Sequence, residues 1–180
     1  MTEAKPFTPV KLICGVISSE ERFFEKAETR LVELFGHVDH RSPLFEFKYT
    51  DYYEKQMGKN LKRKFLSFRK LLTPEKLSKI KLRTNQLEEE IKQEFKENFR
   101  VVNLDPGYLT PSALVIATAK DFSHRLPLQY GIYAHLEFLF TKQGIKVLDW
   151  TYPDFKTEEY QGFFLEARRI YLEQLRAKRR

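Results

Sequence analysis

Leu12-Ile13-Cys14-Gly15-Val16-Ile17 is apolar without interruption. A strand exposed on one side alternates apolar and polar residues, whereas a continuous run needs cover on both faces. Six residues are far too few to cross a membrane, which takes about 18–20. The run therefore predicts a central strand inside a layered domain. Its Cys14 is the only cysteine, so neither an internal disulfide nor a Cys-x-x-Cys metal site is available. Cys14 reads as a small buried hydrophobe.

The rest of the chain supplies the layers. Ser18 with Glu21 has capping-box spacing and predicts a helix start. Phe23, Phe24, Ala27, Leu31, Leu34 and Phe35 make its stripe, and Gly36 ends it. His37–His40 and Leu44–Tyr49 read as short strands separated by Ser42-Pro43. Thr50–Asn60 reads as a loop, and Lys64–Leu71 alternates weakly, fitting a strand or a helix with the strand favoured. Thr73-Pro74 opens the longest helix, which is predicted to reach about Glu97. Asn103-Leu104-Asp105-Pro106-Gly107 has the chemistry of a turn. Ala113–Ala117 reads as a buried strand. Gly131–Thr141 is a strand whose Ile132, Ala134, Leu136, Phe138 and Phe140 share the core face, and Lys142-Gln143-Gly144 turns it into Ile145–Trp150. Thr157 caps the last helix. Strands that alternate with helices, then cluster, predict an α+β domain. Its single sheet is expected to be mixed or mainly antiparallel, with helices mostly on one face.

Residues 1–10, with Pro6 and Pro9, are expected to form a flexible arm, 11–176 one domain, and 177–180 a basic tail. No charged-then-apolar leader opens the sequence and no apolar stretch approaches about 18 residues, so a cytoplasmic location without membrane attachment is expected.

Charge placement is the strongest functional signal. Lys55 to Arg83 holds eleven basic residues against one acid, Glu75, a net +10 where the whole chain is +7. Such a local field attracts anions. Phe65 and Phe68 interleave with it, a pattern that can grip phosphate and stack on bases. A solvated basic face with both rings in the core explains it equally well.

A second signal is a polar patch on the long helix. Leu77, Ile80, Leu87, Ile91 and Phe95 define the inward stripe, and Thr84 continues it, flanked by Lys81, Asn85 and Glu88. Buried polar groups need partners, either an internal network or a ligand. Third, Lys120, His124 and Arg125 follow a buried strand, where phosphate- or carboxylate-binding groups often sit and where His124 could move a proton. Fourth, Tyr133, His135 and Glu137 share the non-core face of the Gly131–Thr141 strand, as a wet face or a cavity wall. Asp51, Asp105 and Asp154 sit in predicted turns.

No P-loop, dinucleotide fingerprint, His-Glu-x-x-His or Gly-x-Ser-x-Gly motif occurs. The blocks Tyr49-Thr50-Asp51-Tyr52-Tyr53, Lys81 with Thr84-Asn85 and Glu88, Val102-Asn103-Leu104-Asp105-Pro106-Gly107-Tyr108-Leu109 and Trp150-Thr151-Tyr152-Pro153-Asp154 together resemble an uncharacterised prokaryotic family, domain of unknown function 4416. The resemblance runs from Lys11 to Leu175. It implies no catalytic role, since the family has no established activity. Members sometimes bear a GTP-binding label, but this chain lacks the Asn/Thr-Lys-x-Asp guanine motif. Members also tend to carry a carboxylate where this chain has His135.

The expected site therefore gathers Arg63, Lys81, Thr84, Asn85, Asn103, Lys120, Arg125, Tyr133 and Trp150 as ligand-binding candidates. Asp51, Glu88, Asp105 and His124 are candidates for acid–base work. Asp51, Glu88 and Asp105 could also hold Mg²⁺. An anionic, phosphate-containing small molecule such as a nucleotide is the expected partner. A nucleic-acid accessory domain using residues 55–83, or a non-catalytic adaptor with an internal polar network, are the alternatives.

Overall fold

The computed structural model describes residues 2–50 and 52–178. Among them, nine strands form one antiparallel open sheet with four α-helices packed against it. The elements run β1 (Val10–Ser18), α1 (Glu21–Phe35), β2 (Val38–Arg41), β3 (Phe45–Glu46), α2 (Glu54–Met57), β4 (Lys62–Leu72), α3 (Leu77–Glu94), β5 (Asn103–Leu109), β6 (Ala113–Thr118), β7 (Leu126–Pro127), β8 (Tyr133–Thr141), β9 (Gly144–Val147) and α4 (Glu158–Ala177). One-turn 3-10 segments, Pro74–Lys76 and Pro153–Lys156, precede α3 and α4. The strand order is β2-β4-β1-β5-β6-β8-β7, with β3 on β4 and β9 on β8.

The apolar run forms β1, buried along its whole length between β4 and β5. Leu12, Cys14 and Val16 face α1 and α3, packing with Phe23, Leu31, Ile80, Leu87 and Ile91. Ile13, on the other face, packs with Phe65, Phe138 and the Tyr160, Phe163 and Phe164 stripe of α4. The helices thus divide between the faces, α1 and α3 on one and α4 on the other, because β1 has no polar face to leave in water. No helix among the described residues is long and apolar enough to cross a membrane.

Four local expectations change. Ser18 ends β1 rather than capping α1, its hydroxyl donating to the Val101 carbonyl at 2.7 Å, and Glu20 takes the N-cap position. The Thr50–Asn60 segment contains the single-turn α2, which buries Met57 against Ile17, Phe47 and Leu61.

The third change matters more. Asn103–Gly107 is not a turn but the start of β5, paired with β1 from Asn103 to Leu109. Proline is tolerated there because β6 joins β5 only over Gly107–Leu109. Beyond Gly107 the strands part: β5 stays beside β1, while β6 continues beside β8 to Thr118. The sheet therefore forks at Pro106.

The fourth is a β-bulge. Leu114 pairs Phe138 but Val115 pairs Leu136, leaving Glu137 as the extra residue. The bulge inverts the side-chain alternation. His135 and Glu137, expected on a non-core face, are instead buried at 1% and 0% exposure, on the same strand as buried Phe138 and Phe140. Leu136 and Ala134 are only half-buried.

Gly107 sits where β5 and β6 approach most closely. A Cβ there would lie 2.5 Å from the Val115 carbonyl oxygen. Gly107→Ala should cost about 1–3 kcal/mol by overpacking, read as a lower urea midpoint. An unchanged midpoint would contradict this account of the fork.

Candidate functional site

The fork opens into a cavity of about 470 Å³, within the usual range for small-molecule sites. One arm contributes Asn103 and Asp105, the other Ile116, Ala117 and Thr118. Because the strands have parted, side chains from both faces of the sheet meet there. Lys81 and Asn85 come from α3, Arg63 from β4, and Tyr152, Asp154 and Phe155 from the segment leading into α4. Phe47, Tyr49, Thr50, Tyr52 and Tyr53 close one side, and Arg100 and Lys120 complete the rim.

Arg63 is the electrostatic centre of the floor. Its guanidinium donates to Asp154, and to Asp105 Oδ2 at 3.0 Å. It also lies against the rings of Phe47, Phe65, Phe155 and Tyr160, 4.8–6.0 Å from their centroids. Burial alone would lower the Arg63 pKa, but Asp154 and Asp105 hold it above its ordinary value. Burial raises the Asp154 carboxyl, against the pull of Arg63.

A hydrogen-bonded chain continues from this pair. Asn103 Nδ2 donates to Asp105 Oδ2 at 2.8 Å, and Asn103 Oδ1 accepts from Arg100 Nη2 at 2.5 Å. Arg100 also donates to Glu88 Oε2, while the Leu104 amide donates to Glu88 Oε1 at 2.7 Å. Burial pushes the Glu88 carboxyl up, opposed by Arg100 and Lys81. Lys81 Nζ donates to the Leu104 carbonyl at 2.8 Å and stands 3.9 Å from Asp105 Oδ1.

A second network backs the far wall. His135 lines the cavity, and its Nδ1 accepts from Arg125 Nε at 3.2 Å. That assigns the ring proton to Nε2, 2.9 Å from Glu137 Oε2 although off the ideal hydrogen-bond direction. His124 Nε2 also lies 3.2 Å from His135 Nδ1. Arg125 further donates to the Tyr152 hydroxyl at 2.7 Å and the Lys120 carbonyl at 2.8 Å. Stacking fixes the rings: His124 on Trp150 at 5.0 Å and His135 on Tyr152 at 5.1 Å. Burial lowers the His124 pKa, reinforced by His135 and Arg125.

Of the residues singled out in the sequence, Arg63, Lys81, Asn85, Asn103, Asp105, Lys120, His135 and Asp154 line the cavity. Arg125 and His124 touch lining residues from behind. Glu88 supports Arg100 rather than facing the space. Thr84 is buried and its hydroxyl donates to the Lys81 carbonyl at 2.9 Å, so it satisfies itself within α3. Trp150 is outside the lining, its indole donating to the Leu136 carbonyl at 2.7 Å. Tyr133 pairs with Thr118 and Pro127 at the end of β8 and does not line the cavity. Asp51 lies outside the described residues.

Among those described, no three His, Cys, Asp or Glu side chains converge as a metal cluster. Glu88 and Asp105 are joined through Arg100 and Asn103 rather than through a shared open position. Sequence reasoning missed Arg100, an isolated arginine before a buried Val101-Val102 pair with no distinguishing pattern. It also undervalued the tyrosines, whose signal was the Tyr49–Tyr53 cluster.

The basic segment divides. Arg63 and Lys81 are buried at the cavity, Lys64 pairs with Glu28, and Arg83 with Glu90. Phe65 and Phe68 are core residues at 1% and 0% exposure, so neither can stack on a base.

These features define an α+β sheet protein with a mixed acid–base cleft at a strand fork. The chain belongs to the family described as Domain of unknown function (DUF4416), whose model matches residues 8–171. No curated protein and no solved structure matches it.

Two outcomes follow for stability. Arg63→Ala strands Asp154 and Asp105 without their cation, and should cost about 3–5 kcal/mol in chemical denaturation. A loss under about 1 kcal/mol would remove Arg63 as the organising charge. For His124, a pKa lowered from 6.5 means the unfolded chain binds the proton more readily. Its contribution is therefore complete above pH 6.5 and fades as pH falls through the folded value. The stability difference between wild type and His124→Gln should shrink between pH 8 and pH 5.5. A difference that is flat or grows on acidification contradicts this.

Proposed function

We propose that the fork cavity binds an anionic, phosphate-containing small molecule such as a nucleotide. One observation carries the reading. Five cations lie on or against the cavity: Arg63, Lys81, Arg100, Lys120 and Arg125. Asp154, Asp105 and Glu88 sit within 4.0 Å of the first three. Lys120 and Arg125 have no carboxylate that close among the described residues. Both belong to the loop after β6 and are tied together by the Arg125 bond to the Lys120 carbonyl.

Positive charge on and behind the wall of a concave site, without a carboxylate partner among the described residues, focuses a field on whatever enters it. Lys120 Nζ currently sits 3.6 Å over the Tyr52 ring, a weak partner that an anion can replace. The tyrosine-rich wall supplies flat surface for a ring. Asp105 and Asp154 are held by Arg63, so the arrangement supports binding, and no reaction is assigned.

A thermal-shift screen of nucleotides and sugar phosphates, with and without Mg²⁺, should find compounds that raise Tm. A ligand at 100 times its Kd adds about 2.7 kcal/mol. The double variant Lys120→Ala/Arg125→Ala should lose most of that shift. Absence of stabilisation by every phosphorylated compound tested would end the proposal.

A further inference from the structure

We infer that the ligand carries a single phosphate on an aromatic ring system, as a nucleoside monophosphate does, and is not a polyphosphate. This rests on the binding reading above and narrows it by charge. A phosphomonoester carries about −1.5 to −2 at pH 7. Lys120 and Arg125 together supply the matching charge. Arg63 is already balanced by Asp154 and Asp105, and Arg100 by Glu88. Lys81 is turned to the Leu104 carbonyl and Asp105.

Among the described residues no cation is left over deeper in the cavity for more phosphate, since Arg63 and Lys81 stand against Asp105 and Asp154, and Arg100 against Glu88. Asp105 Oδ1 stands 3.9 Å from Lys81 Nζ, and Asp154 is buried on Arg63. A second or third phosphate extending inward would meet these carboxylates. Polyphosphates usually bring Mg²⁺ held by one or two free carboxylates. Among the described residues both lining carboxylates are committed to the guanidinium. What the interior does offer is ring surface: Phe47, Tyr53, Tyr152 and Phe155. The phosphate therefore sits at the Lys120 rim, with Arg125 behind it, and the ring lies inside.

Isothermal titration of the full chain tests this with nucleoside monophosphates, the matching nucleosides and triphosphates, inorganic phosphate and sugar phosphates, each with and without Mg²⁺. The expected result is a monophosphate that binds at least about tenfold tighter than its nucleoside and its triphosphate, without help from Mg²⁺. Lys120→Ala should weaken it by about tenfold with an unchanged urea midpoint. A triphosphate that binds as tightly or tighter overturns the inference while leaving the phosphate site standing. So does a nucleoside that matches its monophosphate, or sugar phosphates that bind when nucleotides do not. Lys120→Ala without effect moves the phosphate away from this rim and also overturns it. If no phosphorylated compound binds, the proposed function itself fails and the inference goes with it.

Discussion

The Arg63 guanidinium is taken out of water and held between two carboxylates and four aromatic rings. Each carboxylate belongs to a different part of the fold: Asp105 to β5, Asp154 to the 3-10 turn that launches α4. Arg63 itself lies on β4, on the far side of β1. The pair thus ties three segments across the central strand. A buried cation removed from solvent is tolerable only if all its partners arrive together. That condition fixes where α4 begins, and so which residues of the Tyr152–Phe155 stretch face the fork. The aromatic cage adds cation–π attraction and excludes the water that would otherwise screen the ion pair.

Pro106 has a comparable influence through absence. It has no amide hydrogen to give to a ladder, and beyond it β6 has no partner on β5. The fork that results lets Lys81 from one face and Arg63 from the other reach one space. In an unbroken sheet the two would be separated by a layer of backbone. Gly107, just inside the fork, is where the strands must approach without a side chain between them.

How legible this was follows from what periodicity can report. Continuous or periodic hydrophobicity identified β1, β6 and the stripes of α1, α3 and α4, since burial there is long and regular, while β4 alternated too weakly to be told from a helix. Local turn chemistry misled at Asp105-Pro106-Gly107, because the same residues that favour a turn also suit a strand that loses its neighbour. The bulge at Glu137 was invisible for a different reason: one extra residue inverts the facing of everything before it, and composition carries no trace of that. His135 was noticed as polar, but its burial depended on that inversion. The polar residues of α3 were legible because a polar patch on a buried stripe demands partners. Which of them had a partner already was not, as Thr84 and Lys81 show. Arg100 carried no pattern at all.

The distinction between paired and unpaired cations is what separates structural charge from available charge. Net charge over residues 55–83 pointed to anions, yet its cavity members, Arg63 and Lys81, stand beside carboxylates. Among the described residues, the cavity cations without a carboxylate partner come from a shorter and less basic stretch, the Lys120–Arg125 loop. Arg125 is held there by three acceptors: the Lys120 carbonyl, the Tyr152 hydroxyl and His135 Nδ1. The last uses His135 Nδ1 as acceptor, while Nε2 lies 2.9 Å from Glu137 Oε2. The buried carboxylate at the bulge is outside the cavity lining and packs beside a histidine that accepts from the half-buried Arg125. A local inversion of one strand is in this way connected to the charge held behind the cavity wall.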